Sequence, residues 1–224
     1  MNRFSRGDLD KLIYENFINN VLDDGVAIEI GGHDGGYLSI TRFFERELNF
    51  KTILVEPVFG LYERSKLNRP NSVHLNYAVS KTRGRVNIAK PQNENIQEIS
   101  SLLDGLDENW KNTWDLSKIE EVDSVHMQDI IDETNLSYID LFVIDVEGHE
   151  LDVLETTDFN KVEVGVISIE MLSIMPCYSY FKEKDDRCRE FLSEKGFIHA
   201  KTLSADEFWI NPNYSRKDKL YHLN

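Results

Sequence analysis

At 224 residues the chain is long enough for one well-buried core and too short for two ordinary catalytic domains, so a single domain over 1–224 is expected. Hydrophobic residues make up 41% and charged residues 29%, which excludes wholesale disorder, and no apolar run approaches the roughly 20 residues that cross a bilayer. With 40 acidic against 25 basic side chains the net charge is −15, and a surface that negative repels phosphate backbones and sets nucleic acid aside as a partner.

The polar start, MNRFSRGDLDKL, lacks the apolar centre of a secretory signal, so an intracellular, cytoplasmic protein with no membrane partner is expected. Residues 1–22 carry Leu9, Leu12, Ile13, Phe17 and Ile18 at helical spacing, with Asp8 placed as the N-cap. Short apolar runs follow: VAIEI (26–30), KTILVE (51–56), SVHLNYAVS (72–80), IDLFVID (139–145) and VGVISIE (164–170). Helix-compatible stretches at 38–48, 59–67 and 150–157 lie between several of them. That alternation predicts βαβ units and a mostly parallel α/β sheet with helices on both faces. A last helix over 181–195 leads into two runs, GFIHAKTL and EFWINPNY, that suit an antiparallel hairpin at the edge.

Residues 91–121 break this rhythm. They are polar and long for a connection, which predicts an insert or a substrate lid. Trp110 and Trp114 would share one face of a helix there, either packing the insert onto the core or stacking on a ligand. The basic stretches 64–70 and 80–85 read as solvated surface, and Cys177 and Cys188 as reduced thiols outside any disulfide or zinc pattern.

Four apolar runs end at or beside an acid: Glu29, Glu56, Asp145 and Glu170. Ligands of open parallel sheets bind outside the carboxyl ends of the strands, so these acids are expected to gather on one rim. The turn after the first run, EIGGHDGG (29–36), has the form E-x-G-x-x-x-G through Glu29, Gly31 and Gly35, with His33 where a dinucleotide turn has its middle glycine. The missing glycine makes room for no pyrophosphate. Glu56, about 20 residues farther on at the end of the next strand, is placed to accept hydrogen bonds from ribose hydroxyls. A nucleoside cofactor without a pyrophosphate fits; S-adenosylmethionine is one, and NAD is not.

The segments 27–57, 67–80, 138–155 and 167–170 resemble the FkbM-type methyltransferases, a branch of the class I fold that uses S-adenosylmethionine. The most specific element is I-D-x-E-G-x-E, Ile144 through Glu150. The turn has His33 where that family more often has asparagine, and residues 91–121 carry no pattern that aligns. The resemblance implies a Rossmann-like, seven-stranded sheet with an antiparallel last strand, and O-methylation, often of sugar hydroxyls. By position, it implies that Glu29, Gly31 and Gly35 cradle the methionine end of the cofactor, with Gly32, His33 and Ser39 beside them. Glu56 and Pro57 would lie at the ribose, and Asn76, Ala78 and Val79 near the adenine. Asp145, Glu147 and His149 would face the transferring methyl, with Asp145 touching cofactor and substrate alike.

An alcohol needs a base or a metal ion to become a good nucleophile. Asp145 or His149 can take the proton, Glu147 can orient the substrate, and Glu170 can complete an acidic cluster. Oxygen ligands of this kind suit Mg²⁺ or Mn²⁺, so a divalent metal is kept as an option. His149 and His33 also have plain readings, as a helix-start packing residue and as a donor to a backbone carbonyl. The leading function is methylation of a small-molecule or glycan hydroxyl. Its alternatives are a lipid or polyketide hydroxyl as acceptor, or a cofactor-binding module without chemistry.

Overall fold

A computed structural model describes residues 8–19, 24–36, 38–91, 100–103 and 114–220. The elements in chain order begin with α1 (Leu9–Asn16), β1 (Val26–Ile30), α2 (Thr41–Leu48), β2 (Lys51–Val55), α3 (Phe59–Asn68) and β3 (Val73–Leu75). Next come β4 (Ala78–Val79), β5 (Gly84–Pro91), β6 (Ser101–Leu102), β7 (Trp114–Val125), α4 (Met127–Thr134), β8 (Tyr138–Ile144), α5 (Glu150–Glu155) and β9 (Glu163–Glu170). Two 3₁₀ turns, α6 (Lys182–Glu194), β10 (Ile198–Leu203), β11 (Asp206–Ile210) and α7 (Lys217–Leu220) complete the order.

Seven strands form one sheet in the order β10-β11-β9-β8-β1-β2-β3. The pairs from β9 through β3 are parallel, and β11 runs antiparallel to both of its neighbours. Because side chains alternate along a strand, each run supplies two cores. Ile28, Ile30, Phe142, Ile144, Ile167 and Ile169 pack with residues of α4, α5 and α6. Ala27, Leu141, Val143 and Val166 pack with α1 and α2, where Ile13, Phe43 and Phe44 are buried. Burial on both faces is why these strands read as unbroken apolar runs. The strand order reverses between β1 and β8, which opens a crevice at their carboxyl ends. At the opposite ends, buried Asp140 accepts the Val26 N–H at 2.8 Å and the Tyr214 hydroxyl at 2.9 Å, so β1 and β8 are locked in register there too.

Three expectations are corrected. The run 72–80 is not one strand: β3 belongs to the large sheet and β4 to a second sheet of order β4-β7-β5-β6. Asn76 makes the break, its Nδ2 donating to the Glu56 carbonyl at 2.7 Å and the Pro57 carbonyl at 2.9 Å. Residues 114–121 are neither loop nor lid; they belong to β7, which pairs antiparallel with β5. Asp8 stands at the start of α1 with a left-handed φ of 67° and makes no capping hydrogen bond. Within the rest of the expected insert, Pro91 ends β5 and Ser101–Leu102 form β6, while 92–99 and 104–113, including Trp110, lie outside the described residues, as do 1–7 and 20–22 of the N-terminal segment. Among the described residues, no helix is long and apolar enough to cross a membrane.

Candidate active site

Three turns meet at the reversal point. The first leaves β1 at Gly31, whose φ is 85°. A β-carbon there would stand 1.7 Å from the Asp145 carbonyl oxygen, so the exits of β1 and β8 touch backbone to backbone and only glycine fits. The N–H groups of Gly31 and Gly32 both donate to the Val55 carbonyl at 3.0 Å. Buried Glu29 then pins the way into α2: its carboxylate accepts from Ser39 Oγ at 2.6 Å, Ile40 N at 2.9 Å and Thr41 Oγ1 at 2.6 Å. Behind it lies the buried guanidinium of Arg69, which donates to Ser39 Oγ at 2.9 Å and Thr52 Oγ1 at 3.1 Å and pairs with Glu45.

The second turn leaves β2 at Glu56. Its Oε2 accepts the His33 N–H and its Oε1 the Val58 N–H, each at 2.9 Å. Each oxygen keeps a further lone pair, so the carboxylate is a fixed fork for two adjacent hydroxyls. Burial pushes its pKa up to about 7, against the pull of those two N–H groups.

The third turn leaves β8 at Asp145, whose N–H donates to the Ile30 carbonyl at 3.0 Å. Glu147 has a φ of 54° and Gly148 one of 97°. Two left-handed residues in sequence fold the chain back sharply, and Glu150 braces the fold by accepting from Val146 N at 3.2 Å and Gly148 N at 3.1 Å. Burial pushes the Glu150 pKa up to about 7. His149, 7% exposed, has Nδ1 3.7 Å from Asp152 Oδ2, while its buried Nε2 has no hydrogen-bond partner among the described residues. Burial works to raise the Asp152 pKa, but the His149 contact together with the N–H and charge of Lys81 outweighs it and holds the carboxyl below its ordinary range. One oxygen each from Asp145, Glu147 and Glu170 lies within 4.8 Å of the others. Burial, then the charges of Asp145 and Glu147, push the Glu170 pKa well above the carboxylate range.

The three turns line an open cleft of about 970 Å³, solvent space at its mouth included. One wall is polar and comes from the turns. The facing wall is apolar, from Leu61 of α3, Ala78 and Val79 of β4, Ile88 of β5 and Leu102 of β6. The second sheet is therefore part of the site, and Ser101 Oγ donates to the Glu147 carbonyl at 2.9 Å to tie β6 to the acidic turn.

A model of the methyltransferase FkbM domain matches residues 29–198. The chain belongs to the FkbM methyltransferase family. The FkbM match begins at Glu29 itself and contains every residue that lines the cleft, the second sheet included. Among solved structures, the crystal structure of ribosomal protein L11 methylase from Lactobacillus delbrueckii subsp. bulgaricus is similar, with a TM-score of 0.42 and 14% identity over 90% of this chain and 75% of that one. No curated protein sequence matches.

Of the residues singled out in the sequence of this FkbM member, Glu29, Gly31, Gly32, His33, Ser39, Glu56, Pro57, Ala78, Val79, Asp145, Glu147 and His149 line the cleft. Three do not. Gly35 is turned the other way, where a β-carbon would meet Leu54, Arg69 and Ser65 at 3.0–3.2 Å. Asn76 spends its side chain on the β2–α3 corner, and Glu170 sits in the acid cluster outside the cleft lining. The sequence reading missed Arg69, placing it on solvated surface although it is 1% exposed. It also missed the bracing role of Glu150, and Asp152 beside His149. A basic residue among polar neighbours signals nothing by itself. The i, i+3 spacing of His149 and Asp152 on a helix start was the legible cue.

Proposed function

We propose that this FkbM methyltransferase transfers a methyl group from S-adenosylmethionine to a hydroxyl of a small molecule, with a sugar or glycan as the favoured class. The observation that carries the reading is the Glu56 fork, fixed by two backbone N–H groups and facing the same cleft as a glycine turn that lacks the pyrophosphate-binding pattern. The strand order β3-β2-β1-β8-β9-β11-β10, with β11 reversed, supports the class I methyltransferase arrangement. The apolar wall of Leu61, Ala78, Val79 and Ile88 fits an adenine ring, and the backbone around Gly31 and Gly32 fits the methionine end.

When bound, the cofactor supplies a sulfonium-activated methyl carbon, whose sulfur departs with the bonding electrons as a thioether. The chain aligns the acceptor oxygen for in-line attack and takes its proton, and alignment is the larger contribution. The acidic turn offers both roles. Asp145, exposed at the cleft, accepts a hydrogen bond from a neighbouring hydroxyl of the acceptor and so fixes the direction of the reacting one. His149 Nε2 has no competing partner among the described residues and receives the proton, with Asp152 on the other side of the ring.

Trp114 gives no support to a sugar acceptor, because it is buried against Ala89, Leu172 and Phe181 instead of facing a ligand. The support is the acid-lined mouth, which suits an acceptor rich in hydroxyl donors better than a lipid. Calorimetry on the full chain with S-adenosylmethionine and with NAD tests the cofactor. Binding of the first, lost in Glu56→Gln, is expected; binding of NAD alone removes the reading. A panel of nucleotide sugars and free glycans, followed by mass spectrometry for a methyl gain, then identifies the acceptor.

A further inference from the structure

Glu170 ends β9 next to the turn that ends β8, and the large sheet brings its carboxylate to Asp145 and Glu147. Three acids with ligand oxygens inside 4.8 Å repel one another unless protons or a cation intervene. The charged groups that act most on Glu170 are acids: Asp145, Glu147, Glu150 and Asp206. Its Oε2 is buried and receives no hydrogen bond among the described residues. An acid cluster alone is no site, but a second feature of this turn points to a ligand. His149, more than nine-tenths buried, lines the same cleft as Asp145 and Glu147, and its Nε2 is buried without a partner among the described residues while Nδ1 is turned to Asp152. A buried ring nitrogen without a partner among the described residues, on a residue that shares its cleft with Asp145 and Glu147, points to a ligand held there.

We infer that Asp145, Glu147 and Glu170 form a site for one hard divalent cation, Mg²⁺ or Mn²⁺, that holds the acceptor hydroxyl against His149. The inference rests on the methyl-transfer reading for the identity of the hydroxyl, but not for the cation itself. With metal–oxygen bonds of about 2.1 Å, neighbouring ligands of one octahedral ion stand about 3 Å apart and opposite ones about 4.2 Å, so these oxygens converge on an ion by side-chain movements of about 1–2 Å. All-oxygen, all-acid ligands select a hard cation over zinc or copper. Three protein ligands leave positions for water and substrate oxygens. The cation lowers the pKa of a bound hydroxyl, and the proton passes to His149 Nε2 while the oxygen keeps the electron pair that attacks the methyl carbon.

The full chain, stripped with EDTA and dialysed, is titrated with Mn²⁺ alone while free Mn²⁺ is followed by electron paramagnetic resonance. One Mn²⁺ per chain is expected, displaced by Mg²⁺. Glu170→Gln is expected to weaken it by about 10- to 100-fold. Calorimetry with S-adenosylmethionine in EDTA, together with a thermal melt, checks that this variant is folded; if it is not, Asp145→Asn at the exposed position replaces it. No Mn²⁺ binding at millimolar concentration, or equal binding by both proteins, overturns the inference. Cofactor binding with no Mn²⁺ site removes the cation and leaves the methyl-transfer reading intact. A Mn²⁺ site without cofactor binding does the reverse.

Discussion

Asp145 does two jobs with two parts of one residue. Its carbonyl oxygen rests on Gly31 and builds the site, whereas its side chain is exposed at the cleft. Replacing the side chain therefore separates chemistry from architecture. Asp145→Ala is expected to keep affinity for S-adenosylmethionine, because the Glu56 fork and the glycine turn are untouched. Turnover should fall about 100-fold or more, the usual scale for a lost proton-handling or orienting group. Single-turnover rates set beside calorimetric affinities check it, and full activity would reassign the role. Glu29 teaches the opposite lesson. It was read as a cofactor ligand, yet three donors already occupy its carboxylate, so it shapes the cleft mainly by holding the loop.

At the scale of elements, the strands of the large sheet were legible because burial on both faces leaves unbroken apolar runs. VAIEI became β1 with no change of boundary. The second sheet was not legible, for a physical reason. Of β7, Trp114, Val122 and Ser124 are buried, while Leu116 through Ile119, Glu121 and Asp123 are exposed, so its sequence is as polar as a loop. The acids there pair across the strands, Arg85 with Glu121 and Asp123, and Lys90 with Glu120. Cross-strand partners far apart in the chain leave no local period to read. Arg69 was hidden for a related reason. Its worth lies in joining the end of α3 to the loop before α2 through Ser39, to α2 through Thr41 and Glu45, and to β2 through Thr52. Arg69→Met removes a buried charge from its partners and is expected to destabilise the fold by about 3–5 kcal/mol. Because Ser39 then loosens its hold on Glu29, KM for the cofactor should rise more than kcat falls. A denaturant melt and steady-state kinetics on the one variant give both numbers.

At the scale of the molecule, acids dominate. Glu56 and Glu150 hold their protons up to about pH 7 in the folded chain, against an ordinary value of 4.5, because burial disfavours their charged forms. Between those values the folded chain binds protons that the unfolded chain has shed. Their contribution is full below about pH 4.5 and is lost as pH rises through about 7, at about 3 kcal/mol for each group. Asp129 and Asp152, held below the ordinary 3.8, work in the other direction and lose their contribution only in stronger acid. The thermal midpoint is therefore expected to peak near pH 5 and decline toward about pH 8. A midpoint flat or rising across that interval would show that these carboxyls ionise normally.

The contact between Gly31 and the Asp145 carbonyl joins segments more than a hundred residues apart, as the Val26–Asp140 hydrogen bond does at the other end, with 114 residues between its partners. Such pairings form late, because a long stretch of chain must close before they give any return. A nascent chain halted before residue 138 would carry the whole glycine turn and the Glu56 fork, yet lack the strand against which the glycine turn is pressed. Retention on an immobilised adenosine ligand would then begin only when β8 emerges, and in the finished protein the same ligand should slow amide hydrogen exchange along β1 and β8 together.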